Sequence, residues 1–266
     1  MEYQAARTID EVIAKLDAII TDAIAHQDPV GIFTALYVVV TEKVKEGIQN
    51  GFFEDGPRME RLDVLFANRY LEAYHNYKNG GKPTKAWMAA FRAAEHGKTQ
   101  LILQYLLLGT NAHINLDLGI AAEMTAPGAS LAGLHKDFNA INTILASLVD
   151  AVKDDLEVFS PRFQLILRHI RNEEAILKFS MTKAREAAWT FAQKLASRDA
   201  DGRDKAIDFR DGEVTLLAQL IRRPGLIGSL IVWWVNAAER KDIPAIIRAL
   251  RDNYGQRVSL AKLQLR

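Results

Sequence analysis

An all-α fold follows from three features of this chain. Apolar residues recur at spacings of three and four through most of its length, helix start and stop signals punctuate it, and no alternating apolar and polar run marks a strand. With 266 residues, 49% hydrophobic and 25% charged, it is long enough to build one large core. The expectation is a single-domain, irregular bundle of about ten helices over residues 1–266, arranged around one buried central helix.

Each helix has its own signal. Thr8-Ile9-Asp10-Glu11 is a capping-box pattern that opens a helix to about Ala25, and Asp28-Pro29 opens the next. Pro57 starts a third, closed by Gly80-Gly81, and Thr84 caps a short fourth ahead of Gly97. The central segment runs on from Leu101 until Thr125-Ala126-Pro127-Gly128 breaks it. Further helices are expected from about Leu134 to Val158, Arg162 to Arg171, Glu173 to Arg198, Arg203 to Arg222, Leu226 to Glu239 and Ile243 to Tyr254. These patterns do not recur at a fixed period, which argues against a solenoid. The polar stretch 197–204 is the place for a mobile loop or a weak subdomain boundary.

Charge and composition remove several function classes. Lys plus Arg number 34 against 33 for Asp plus Glu, a net charge of +1, so no overall field draws the chain to nucleic acid. There is no cysteine, which excludes disulfides, thiolate nucleophiles and zinc-thiolate sites together. Met1-Glu2-Tyr3-Gln4 lacks a basic region followed by an apolar run, so a cytoplasmic location is expected. No apolar run reaches the roughly 20 residues that span a bilayer. Leu226 to Val235, with Trp233 and Trp234, is the most apolar run and is expected as a buried core helix. Left uncovered, its tryptophans would form a homodimer face.

The polar cluster Asn111-Ala112-His113-Ile114-Asn115-Leu116-Asp117-Leu118 lies inside the apolar segment from Leu101 to Ala122. Polar groups placed where burial is expected are costly unless paired or used. At about 100° per residue, Gln100, Gln104, Asn111 and Asn115 share one stripe, while His113 and Asp117 fall nearly opposite. A four-residue spacing lets His113 and Asp117 meet, to orient an imidazole for proton transfer, to give a metal two ligands, or to form a buried hydrogen bond. Gly109 would permit close helix approach or mark a kink.

Carboxylates recur on other apolar faces. Asp63 lies in the arc of Met59, Leu62, Phe66 and Tyr70, and Asp137 sits among Phe138, Ile141 and Ile144. An unpaired carboxylate there should take up a proton or find a cation. Asp63, Asp117 and Asp137 with His113 would make an oxygen-rich site for a divalent metal ion, whereas a helix N-terminus would stabilise Asp137 without one. Arg69 and Arg185 stand at the rims of apolar faces, where an arginine clamps a carboxylate or phosphate or closes an ion pair. One Glu-x-x-His element, Glu72 with His75, falls short of the pair that a ferritin-like di-iron site needs. His96-Gly97-Lys98-Thr99 has no earlier glycine and no preceding strand, so it is not a phosphate-binding loop.

Phe66-Ala67-Asn68-Arg69-Tyr70-Leu71, Trp87-Met88-Ala89-Ala90-Phe91, Leu108 to Leu118 and Ala184-Arg185-Glu186-Ala187-Ala188-Trp189 together resemble an uncharacterised bacterial family, a domain of unknown function. The Asn-x-His-Ile-Asn-x-Asp-Leu core carries the resemblance. It implies an all-helical fold and no particular activity.

Two functional readings follow from the residues, and a third is structural. In the first, His113 and Asp117 are catalytic and, with Asp63 and Asp137, hold a divalent ion that activates water or dioxygen, while Asn111, Asn115, Tyr70 and Arg69 orient a substrate. In the second, a metal-free helical protein binds a small, partly apolar molecule in a pocket lined by aromatic and Asn/Gln side chains. In the third, every cluster is a buried hydrogen-bond network.

Overall fold

The computed structural model describes residues 3–95, 100–162 and 173–257. The expected helix from Arg162 to Arg171 and the segment His96 to Thr99 lie outside these residues, apart from Arg162 itself. Among the described residues there are eleven α-helices and no strand. In chain order they are α1 (Ile9–His26), α2 (Val30–Gln49), α3 (Gly56–Lys78), α4 (Lys85–Glu95), α5 (Ile102–Ala112) and α6 (Leu118–Thr125). After them come α7 (Leu131–Phe159), α8 (Glu173–Ala196), α9 (Ala200–Arg222), α10 (Gly225–Asn236) and α11 (Ile243–Arg257).

Local chemistry sets the boundaries. Thr8 Oγ1 accepts from the Glu11 amide at 3.2 Å and the Glu11 carboxylate accepts from the Arg7 amide at 2.7 Å, so two free amides at the start of α1 find partners. Asp28 Oδ1 accepts from Val30 N at the start of α2. Gly80 follows α3 with φ +74°, a left-handed conformation that suits glycine after a helix. Segment 197–204 is mostly helical: Asp199 accepts from Gly202 N at 2.8 Å, α9 starts at Ala200, and only a short turn separates it from α8.

The segment from Leu101 to Thr125 occupies the middle of the molecule, with α2, α3, α4, α8 and α9 packed around it. Leu108, Leu116 and Leu118 are fully buried there. Two glycines bring neighbours close. A Cβ at Gly109 would stand 2.3 Å from Phe33 of α2, and one at Gly119 would stand 2.7 Å from the Ala188 carbonyl of α8. Both positions therefore exclude larger residues for steric reasons.

The apolar run in α10 departs from expectation. Only Val235 is buried; Leu226 is 89% exposed, Trp233 is 69% exposed, and Ile227 and Leu230 are also in solvent. The reason is tertiary: α10 bends away from α9 by 57°, and this swings its apolar face off the core. Among the described residues no single helix is long and apolar enough to cross a membrane, although the bent pair α9 and α10 passes that test by length and composition together.

Candidate functional site

The central segment is not a continuous α-helix. Residues His113–Asp117 form a π-helical turn in which the Leu118 amide donates to the His113 carbonyl, five residues back. Such an insertion widens the turn and shifts the phase of every residue after it; it recurs at functional sites. Here it falls on the polar cluster, and it parts the two side chains expected to pair. His113 Nδ1 lies 3.9 Å from Asp117 Oδ2, beyond hydrogen-bond range but within electrostatic reach.

Asp117 is fully engaged. Arg69 Nε from α3 donates to Oδ1 at 3.0 Å, and the indole Nε1 of Trp87 from α4 donates to Oδ2 at 2.7 Å. Burial alone would raise its pKa, but Arg69, His113 and Trp87 outweigh that and hold it below the usual carboxylate range. Asp117 is thus a buried anion that ties α3 and α4 to the central segment.

His113 faces the other way. Its ring lies flat on Phe66 with centroids 3.5 Å apart, and Tyr37 meets it edge-on at 4.3 Å. Neither ring nitrogen has a hydrogen-bond partner among the described residues. Burial lowers its pKa more than Asp117 raises it, so the imidazole is neutral near pH 7.

This ring forms part of the wall of a cavity of about 100 Å³ that lies between α2, α3, α5, α6, α7 and α8 and opens to the surface. Its lining is mainly apolar, with Leu62, Phe66, Ile114 and Ile141 inside and the half-buried Leu36, Val40, Leu145 and Met181 toward the surface. Into this lining come Tyr37, Asp63, His113 and Arg185. Tyr37 Oη, Asp63 Oδ2 and Arg185 Nε all lack hydrogen-bond partners among the described residues. Each such atom costs about 1–3 kcal/mol when nothing pairs with it. Burial, reinforced by Glu60, pushes Asp63 up to about 8, so its carboxyl carries a proton at neutral pH.

The remaining expected residues serve other contacts. Asp137 accepts from the Glu54 and Asp55 amides at 2.7 and 3.0 Å and from Arg58 Nη2 at 3.1 Å, which places it at the start of α3 rather than of its own helix. Asn111 Nδ2 donates to the Val214 carbonyl of α9 at 2.9 Å and Asn115 Nδ2 to Asn111 Oδ1. Gln104 Nε2 reaches the Ile221 carbonyl at 2.7 Å, so Gln104 and Asn111 bond to α9 and Asn115 braces Asn111, whereas Gln100 Oε1 has no partner among the described residues; none of the four lines the cavity. Tyr70 shares a 2.6 Å hydrogen bond with Thr34. The four expected metal ligands are not gathered: among the described residues no group of three or more His, Asp or Glu side chains is placed to hold a metal ion. Asp117 and Asp137 are separated because each is bound by an arginine and N–H donors of its own.

Residues 9–224 match a family of unknown function, DUF5995. The chain belongs to this family. No curated protein and no solved structure matches the chain. Membership in DUF5995 agrees with the resemblance to a domain of unknown function and adds no activity, so the cavity itself carries the functional argument. Sequence inspection leaves out Tyr37, whose hydroxyl sits with that of Thr34 in the otherwise apolar run Ile32 to Val40; a polar atom in a buried face was the available signal.

Proposed function

We propose that this DUF5995 protein binds a small, partly apolar molecule in the cavity beside His113, using side chains alone. The observation that carries this reading is an apolar cavity whose wall brings together four polar groups from three helices and the π turn, each with an atom that has no hydrogen-bond partner among the described residues. A few placed polar atoms in an apolar lining are what orient a small ligand. Arg69, Asn111, Asn115 and Tyr70 act as supports behind the wall. The divalent-ion reading has no ligand set of its own, because Asp117 and Asp137 spend their oxygens on arginine and N–H donors.

A thermal-shift screen of small amphipathic molecules, repeated on Leu145→Trp, tests the proposal. Compounds that raise the wild-type melting temperature should lose their effect when the indole fills the cavity mouth. Failure of every compound, or an undiminished effect in the variant, overturns it.

One observation favours a second reading. The neutral His113, backed at 3.9 Å by a carboxylate that Arg69 holds, is poised to accept a proton from a bound molecule. Chemical turnover of a bound ligand that stops in His113→Gln with binding retained would make the site catalytic. We also propose that two copies of the chain cover each other's α10, whose twelve residues carry no charge and are largely exposed.

A further inference from the structure

We infer that the cavity's ligand is an apolar monocarboxylic acid bound as its anion, with the carboxylate on the guanidinium of Arg185 and the alkyl or aryl body against Leu62, Phe66 and Ile141. This rests on the reading of the cavity as a small-molecule site and adds the chemical class.

Arg185, on α8, is 3% exposed. Its guanidinium carbon lies 4.4 Å from the centre of the Phe138 ring, and Nη2 donates to the Phe138 carbonyl. Among the described residues no carboxylate pairs with it, and Nε has no acceptor. A guanidinium has five N–H donors, and a buried cation without a counter-ion is strongly unfavourable. Asp63 shares the cavity but forms no ion pair with Arg185. Burial raises the Asp63 carboxyl and leaves it neutral, so it donates to a ligand rather than repelling an anion. Burial also lowers Arg185, to about 9, which keeps it charged at neutral pH.

The charge count selects the ligand. One cation in an apolar cavity balances one negative charge, whereas a phosphate dianion would leave a second charge buried and unpaired. The planar fork of the guanidinium matches the two oxygens of a carboxylate. The apolar lining calls for a hydrocarbon body, and the cavity opens past Leu36, Val40, Leu145 and Met181, so a slim chain can extend from it toward the surface.

Calorimetric titration of the whole protein with octanoate, 1-octanol and octyl phosphate tests the class. Octanoate should bind wild type at least about tenfold more tightly than either analogue. Arg185→Gln should lose the preference for the acid while keeping affinity for the alcohol, and Arg185→Lys should keep part of it. Equal affinity for acid and alcohol in wild type, tighter binding of the phosphate, or an acid preference that survives Arg185→Gln overturns the carboxylate assignment and leaves the cavity reading standing. Failure of octanoate and octanol together with every compound of the thermal-shift screen overturns both. The wild-type comparison decides the class even when no variant folds. Arg185→Met should raise the melting temperature of the ligand-free protein, since it removes an uncompensated charge.

Discussion

The indole N–H of Trp87 donates to Asp117 Oδ2 across 2.7 Å in the middle of the core, and the bond joins α4 to the π turn. Asp117 is entirely buried, so this donor and Arg69 are what stabilise its charge. Trp87→Phe keeps most of the ring volume and deletes the donor. A hydrogen bond to a charged group contributes about 1.5–3 kcal/mol, and the variant should lose that much in urea unfolding with little change in the slope. An unfolding midpoint equal to that of wild type would mean that Asp117 is held by Arg69 alone.

Asp63 makes stability fall as the pH rises. Its folded pKa, about 8, lies above the 3.8 of a free aspartate, so between those two values the folded state binds more protons than the unfolded state. Stability from this group is greatest below the unfolded pKa and is lost up to the folded one, with a slope of at most about 1.4 kcal/mol per pH unit. Asp63→Asn removes the titration. The variant should gain on wild type progressively from about pH 5 to about pH 8, as read by chemical unfolding at each pH. A constant difference across that range would place the carboxyl in its ordinary ionised form.

Much of the architecture was legible because it rests on local chemistry. The caps at Thr8 and Asp28 and the glycine stop at Gly80 lie within a few residues of the boundaries they set, and the apolar surround of residues 101–122 marks a central element directly. The site was only half legible. A π turn leaves no mark in a pattern read at α-helical spacing, so the 3.9 Å separation of His113 from Asp117 was hidden. Asp137 and Asp211 cap α3 and α4 from 83 and 126 residues away, a relation that only tertiary structure supplies. The solvent exposure of α10 is of the same kind, since composition reports that a helix is apolar and not whether a neighbour covers it.

Asn111 separates a register role from a ligand role. Its amide donates to the Val214 carbonyl of α9 and its carbonyl accepts from Asn115, both away from the cavity. Asn111→Ala should therefore cost about 1–2 kcal/mol of stability through the lost hydrogen bonds and leave the affinity for any cavity ligand unchanged. Chemical unfolding and calorimetric titration on the same preparation give both quantities. A loss of affinity with unchanged stability would move Asn111 from support to binding group.

The exposed apolar residues of α10 bear on self-association. Leu226, Ile227, Leu230, Ile231, Trp233 and Trp234 all stand in solvent on one short helix, and Leu216 and Leu220 of the preceding α9 are exposed as well. Large exposed apolar patches are typical of interaction faces, and in the proposed dimer a two-fold contact would bring the same patch of each copy together. At about 1.5 Å per residue, the twelve residues of α10 alone fall well short of a bilayer core; only together with α9, across a 57° bend, do they reach that length. Sedimentation velocity at micromolar concentration should show a dimer, and Leu230→Gln with Trp233→Gln should convert it to a monomer with the melting temperature of its helices otherwise retained. Because the cavity wall is formed by α2, α3, α5, α6, α7 and α8, ligand binding should survive that conversion. A wild-type protein that stays monomeric at high concentration would leave α10 without a partner of its own kind.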